Sequence, residues 1–101
     1  MSKELTFNEI KGSHFKRLAQ YVPIVDRVHG AHHPEFHDVN KVFETMLEKT
    51  KLAGFDKPDL SIEFKMLRDI TNNYKVPTDV CETFEAVYNM LGEADCAYYK
   101  D

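Results

Sequence analysis

The chain is short of the residues that cross-link or interrupt a fold. It has two cysteines, Cys81 and Cys96, and no C-x-x-C pair. On a single helix these two would lie about four turns, roughly 22 Å, apart, far beyond disulfide reach. They read as reduced thiols of a cytoplasmic protein. Without C-x-x-C there is no thiolate set for the chain itself to hold an iron–sulfur cluster. Glycine and proline number four each and fall where helices would end. Positive charge is not in excess: 13 Lys and Arg stand against 17 Asp and Glu, a net charge of −4. With the two signs interleaved, no basic stripe is available for phosphate contacts, so nucleic acid is not an expected partner. No apolar run reaches the length of a signal peptide or a membrane span, so no membrane partner is expected and the location is read as cytoplasmic. Beyond His37 there is no histidine at all.

What is present suits one small domain. The 101 residues are 43 % apolar and 30 % charged, enough for one core of modest size. Four segments carry helical periodicity. The first runs from about Leu5 to His29, with Phe7, Ile10, Leu18, Tyr21, Val25 and Val28 apolar and His14 in the gap between Ile10 and Leu18. Thr6 with Glu9 resembles a capping box, Gly30 is a stop, and Pro23 predicts a kink or break. The second starts near Pro34, carries Phe36, Val39, Phe43, Met46, Thr50 and Ala53 on one face, and ends at Gly54. The turn Phe55-Asp56-Lys57-Pro58-Asp59 follows. The third, from about Leu60 to Tyr74, places Leu60, Phe64, Leu67, Thr71 and Tyr74 together; Asn72-Asn73 weakens its end and Pro77 forbids continuation. The fourth, from about Thr78 to Tyr99, has the cleanest stripe: Val80, Phe84, Val87, Leu91, Ala94 and Tyr98. Thr78 is its expected cap, and Gly92 costs about 1 kcal/mol relative to alanine. No run reads as a strand. The expected fold is all-α: one domain over residues 1–101, an antiparallel up-down four-helix bundle with its first helix kinked or broken near Pro23.

Four of the five histidines fall in Val28-His29-Gly30-Ala31-His32-His33-Pro34-Glu35-Phe36-His37, at the corner between the first two helices. Imidazole offers a lone pair near neutral pH. His33 and His37 have i, i+4 spacing if the second helix starts as early as His33; His29 lies across the corner, and Glu35 could add a carboxylate. Zinc, iron, nickel or copper would suit such a set. The plainer readings are a solvated His37, turn positions for His32 and His33, a satisfied core histidine at His14, and a helix-dipole partner at His29. Glu63, Asp69, Glu82 and Glu85 flank the apolar stripes, where solvated charges are the default. No nucleophile–base pair with an orienting third group and no glycine-rich phosphate loop can be read, so an enzyme is not the expectation.

The string Val25-Asp26-Arg27-Val28-His29-Gly30 followed by His33-Pro34-Glu35-Phe36 resembles a motif of the iron–sulfur cluster repair di-iron proteins, the RIC group, which are hemerythrin-like four-helix bundles. The likeness is best from His14 to Leu47. Short members of the group look similar also over Tyr21-Val22-Pro23-Ile24-Val25 and Asp79-Val80-Cys81-Glu82. The resemblance implies a non-haem di-iron centre that helps restore iron–sulfur clusters after oxidative or nitrosative stress, with iron–sulfur proteins as partners. It maps one iron ligand onto His29 and another onto His14. The chain departs from the group in lacking the two later His-x-x-x-Glu pairs. A site could therefore be reduced, shared between the subunits of a homodimer, or lost. The expectation drawn from the resemblance is a metal-binding protein using His14 and His29, with His33, His37 and Glu35. Iron is the first metal implied, and zinc or another transition metal the alternative. The competing expectation is a metal-free helical interaction module that keeps the bundle.

Overall fold

The computed structural model describes residues 7–54 and 56–100. Thr6, and with it the proposed capping box, lies outside them, as do Leu5 and Phe55. The first helical rod is made of α1 (Phe7–Ile10), a π-helical segment (Lys11–Phe15) and α2 (Lys16–His29). It is followed by α3 (Glu35–Ala53), α4 (Ser61–Thr71) and α5 (Glu82–Lys100), with no strand among the described residues. Pairs of touching side chains fix the directions. Asp26 and Phe15 of the first rod meet Asn40 and Phe43 of α3. Lys49 of α3 meets Glu63 of α4, while Val42 and Met66 line one crevice. Phe64 and Arg68 of α4 meet Tyr98 and Asp95 of α5. His29 and Phe7 of the first rod meet Phe84 and Tyr98 of α5. Every neighbouring pair runs antiparallel, which is the expected four-helix, all-α arrangement.

The core is built from the predicted faces, with one shift. Along the first rod the buried positions are Phe7, Ile10, Phe15, Leu18, Val22 and Val25. The step from Ile10 to Phe15 is five residues because the π segment takes one residue more per turn than an α-helix. Phe15 therefore fills the core place that spacing assigns to His14. Val28, counted on the stripe, is 61 % exposed. The helix also runs through Pro23 to His29 without a break; the π segment lies upstream of it, at Lys11–Phe15. On α3 the buried set is Phe36, Val39, Val42, Phe43 and Met46, and on α5 it includes Phe84, Val87, Leu91 and Ala94.

α4 begins where Asp59 Oδ1 accepts from the Ser61 backbone N–H at 3.2 Å and from Ser61 Oγ at 2.7 Å. These bonds hold the Asp59 carboxyl below the usual range. It ends in three successive left-handed residues, Asn72, Asn73 and Tyr74 (φ 53°, 60° and 63°). Asparagine tolerates that region and tyrosine rarely enters it. Here Tyr74 is held at both ends: its N–H donates to Thr71 Oγ1 at 2.8 Å, and its hydroxyl to Asp95 Oδ2 at 2.7 Å. Arg68 Nε stands 3.1 Å from the same Asp95 oxygen. α5 starts at Glu82, four residues later than Thr78 suggests. Val80 packs on the core and Asp79 is drawn to His33, so residues 78–81 remain in the connector.

Candidate functional site

The corner between α2 and α3 forms one end of the bundle. The Gly30 N–H donates to Asp26 O at 2.9 Å, and the His33 N–H reaches back to His29 O at 2.8 Å. This folds the chain tightly enough to set two imidazoles on one ring. Phe84, fully buried at the start of α5, meets His29 edge-on at a centroid distance of 5.5 Å and His33 at 5.3 Å. Beneath, Phe84 packs on Phe36 and Tyr88. The aromatic stack thus seats the whole histidine corner on α5.

The two imidazoles share Phe84 but not their polar partners. His29 Nε2 is 3.2 Å from Cys81 Sγ. His33 Nδ1 is 3.1 Å from Glu35 Oε2, and its Nε2 is 3.2 Å from the nearer Asp79 oxygen. Both nitrogens of His33 are therefore taken by carboxylates from opposite sides, one at the start of α3 and one in the connector before α5. Glu35 and Asp79 also border an open cleft of about 540 Å³ that includes Ile70, Lys75 and Tyr88. Burial, and then the Glu35 charge, push the Tyr88 phenol up to about 12.

His37 and His14 stand elsewhere. His33 precedes α3, so the i, i+4 pairing of His33 with His37 does not arise. His37 turns toward α2, where Nδ1 meets Asp26 Oδ1, while Asn40 Nδ2 donates to Asp26 Oδ2 at 2.9 Å. His14 lies in the π segment with Ser13 Oγ 3.0 Å from Nδ1. Its Nε2 is 3.4 Å from Glu93 Oε1 but out of line for a hydrogen bond. Fifteen helical residues separate His14 from His29, roughly 22 Å along the rod. His32 is exposed.

A di-iron centre of the kind the resemblance implies needs imidazoles and carboxylates from several helices around one point. The residues present do not fit it within one molecule. His14 and His29 are a bundle's length apart and face different partners. Among the described residues no group of three or more His, Cys, Asp or Glu side chains is arranged to hold a metal ion. Glu63, read as a solvated flank, is instead buried against Lys49 Nζ at 2.9 Å. Two members of the corner, Cys81 and Asp79, were missed as site residues. The signal that could have found them was the Asp79-Val80-Cys81-Glu82 string, which sequence reading placed on the far side of a helix start. Among the described residues, no helix is long and apolar enough to cross a membrane. No protein-family model, curated protein or solved structure matches the chain.

Proposed function

We propose that the chain is a RIC-like helical-bundle module that serves iron–sulfur cluster repair under oxidative or nitrosative stress, working through contacts with an iron–sulfur protein. On this reading its own bundle holds no di-iron centre. The Val-His-Gly and His-Pro-Glu-Phe strings support the link to repair. The observation that carries the metal-free form is the engagement of the imidazoles one at a time: His14 by Glu93, His29 by Cys81, His33 by two carboxylates, His37 by Asp26. Each is a side-chain pair that ties one helix or connector to another. Exposed apolar side chains on α4, Ile62 and Met66, stand one turn apart and offer area for a partner.

A second reading keeps a reduced metal site. It is favoured by the gathering of His29, Cys81, His33, Asp79 and Glu35 at one end of the bundle, where a turn of either imidazole would exchange a protein partner for iron, zinc or another transition metal. One experiment separates the two. Untagged protein is loaded anaerobically with ferrous iron, desalted and analysed for metal. The metal-free reading expects less than about one-tenth equivalent, with binding to the partner kept in His14→Gln and His29→Gln. Close to one equivalent or more, lost in His29→Gln, overturns it in favour of the reduced site. Loss in His14→Gln as well would require ligands from a second subunit.

A further inference from the structure

The contact between His29 and Cys81 joins a nucleophile to a base across 52 positions of sequence, and neither reading above draws on the reactivity of the thiol. Cys81 is exposed and not in a disulfide. Its carbonyl accepts the Glu85 N–H at 3.1 Å, so it stands at the N-cap of the nineteen-residue α5. There the unpaired backbone N–H groups favour negative charge. Glu82 and Glu85 in the same turn work against a free thiolate. A proton acceptor at contact distance is therefore what distinguishes this thiol. In the tautomer with its proton on Nδ1, His29 presents the Nε2 lone pair to the Cys81 S–H at 3.2 Å. The imidazole is braced edge-on by the buried Phe84, which keeps the base beside the sulfur.

We infer that Cys81 is a thiol-modification site, with His29 as its general base, that takes low-molecular-weight disulfides. Nε2 accepts the Sγ proton as Sγ attacks one sulfur of the disulfide. The new bond is between Sγ and that sulfur; the bond broken is the original S–S. The departing thiolate takes the proton back from the imidazolium. The products are a mixed disulfide on Cys81 and one free thiol, with no net change in oxidation beyond the exchange. The other cysteine cannot resolve the product within the molecule. Cys96 lies fifteen residues further along α5, roughly 22 Å away, where a disulfide needs Cα atoms within about 7 Å. The modification therefore persists until an external thiol removes it. This inference stands whether or not the chain serves cluster repair.

The exposed Cys96, near the C-terminal end of α5, is the internal standard. The reduced full chain is treated with oxidised glutathione at neutral pH, and each cysteine is followed by peptide mass mapping. Cys81 should gain the adduct about tenfold faster than Cys96 or more, as a positioned base provides. His29→Gln should bring the two rates to within about twofold, with the Cys96 rate unchanged. Equal rates in the folded wild type overturn the assignment, and so does a His29→Gln protein of native helicity that keeps the fast Cys81 reaction. If His29→Gln loses its helical circular dichroism, the wild-type ratio is compared with the same ratio in urea. It should collapse to about one on unfolding; a ratio that persists refutes a role for the folded contact.

Discussion

Of the four glycines Gly30 leaves the least room for a side chain, and replacing it by alanine tests the packing of the histidine corner. Its φ is −59°, so the backbone conformation suits any L-residue. What glycine supplies is space. A Cβ built there would meet the backbone carbonyl of Asp26 and lie 2.6 Å from His37 Cε1 and 3.0 Å from His37 Nε2. Side-chain movement can relieve only half of this. His37 is half exposed and could swing away at the cost of its contact with Asp26. The Asp26 carbonyl is main chain, and it already accepts the Gly30 N–H at 2.9 Å, so the last turn of α2 must open. Crowding of this kind costs about 1–3 kcal/mol. In a domain of this size each kcal/mol lowers the melting temperature by about 4–8 °C, so Gly30→Ala should melt about 5–20 °C below wild type by circular dichroism. The double variant Gly30→Ala/His37→Ala divides the effect. If the carbonyl dominates, removing the imidazole recovers less than half of the loss. A single variant within about 0.5 kcal/mol of wild type in urea denaturation, the range of ordinary surface substitutions, would refute the close packing and the account of this glycine with it.

Other positions give outcomes of both signs. Gly92→Ala should stabilise by up to about 1 kcal/mol, because the new Cβ finds the Tyr74 ring at 3.5 Å, an ordinary contact; a lowered urea midpoint would contradict this. Asp95→Ala leaves Tyr74 Oη and Arg68 Nε without their shared acceptor and should cost about 2–3 kcal/mol, read from the same titration. Asp59→Asn should melt below wild type at neutral pH. Since the Asp59 carboxyl is held below its unfolded value, its contribution is present above that value and fades as pH falls through the folded one, so the two proteins should converge in acid. Tyr88 has the opposite sign. Its phenol is pushed up to about 12, so its stabilisation is full below its unfolded value of 10.0 and disappears as pH rises through about 12. Phenolate absorbance should show it titrating well above 10.0, and Tyr88→Phe should blunt the alkaline loss of stability.

The helices were legible in the sequence because their burial is periodic, and the core register slips where the period itself changes. Leu60 at the N-cap of α4, Phe64, Leu67 and Thr71 on it, and Phe84, Val87, Leu91 and Ala94 on α5 occupy the core as spacing alone requires. Between Ile10 and Phe15 an extra residue enters the turn, and a reading at fixed 3.6 residues per turn assigns the core place to His14. Nothing in Lys11-Gly12-Ser13-His14 announces a π segment; the aromatic contacts of Phe15 with Phe7 and Phe43, at 6.0 and 5.5 Å, are what that geometry secures. Pro23 illustrates the converse. Its local cost was plain, yet Val22 and Val25 on either side are fully buried, and their packing carries the helix past it.

The corner site was half legible for a related reason. Histidines within ten positions of one another can be counted in a sequence, but two of their partners, Asp79 and Cys81, are brought close only when α5 docks. That docking has a local consequence. Thr78 offers a good cap, and a helix begun there would bury Val80 at its proper place on the stripe. In the structure the connector stays non-helical to Cys81 while Asp79 reaches His33 and Cys81 reaches His29. Two tertiary contacts thus outweigh a local capping preference of about 1 kcal/mol. Extending α5 by a turn would carry Asp79 and Cys81 around the helix and away from both imidazoles. The start of α5 and the pairing of the histidines are therefore one structural choice. A substitution that releases Asp79, such as Asp79→Ala, should lengthen α5 toward Thr78. It should also slow Cys81 modification, although it touches neither Cys81 nor His29. Amide hydrogen exchange across residues 78–82 measures the first effect and peptide-resolved thiol chemistry the second. An Asp79→Ala protein in which one changes without the other would show that the connector and the histidine corner are set independently.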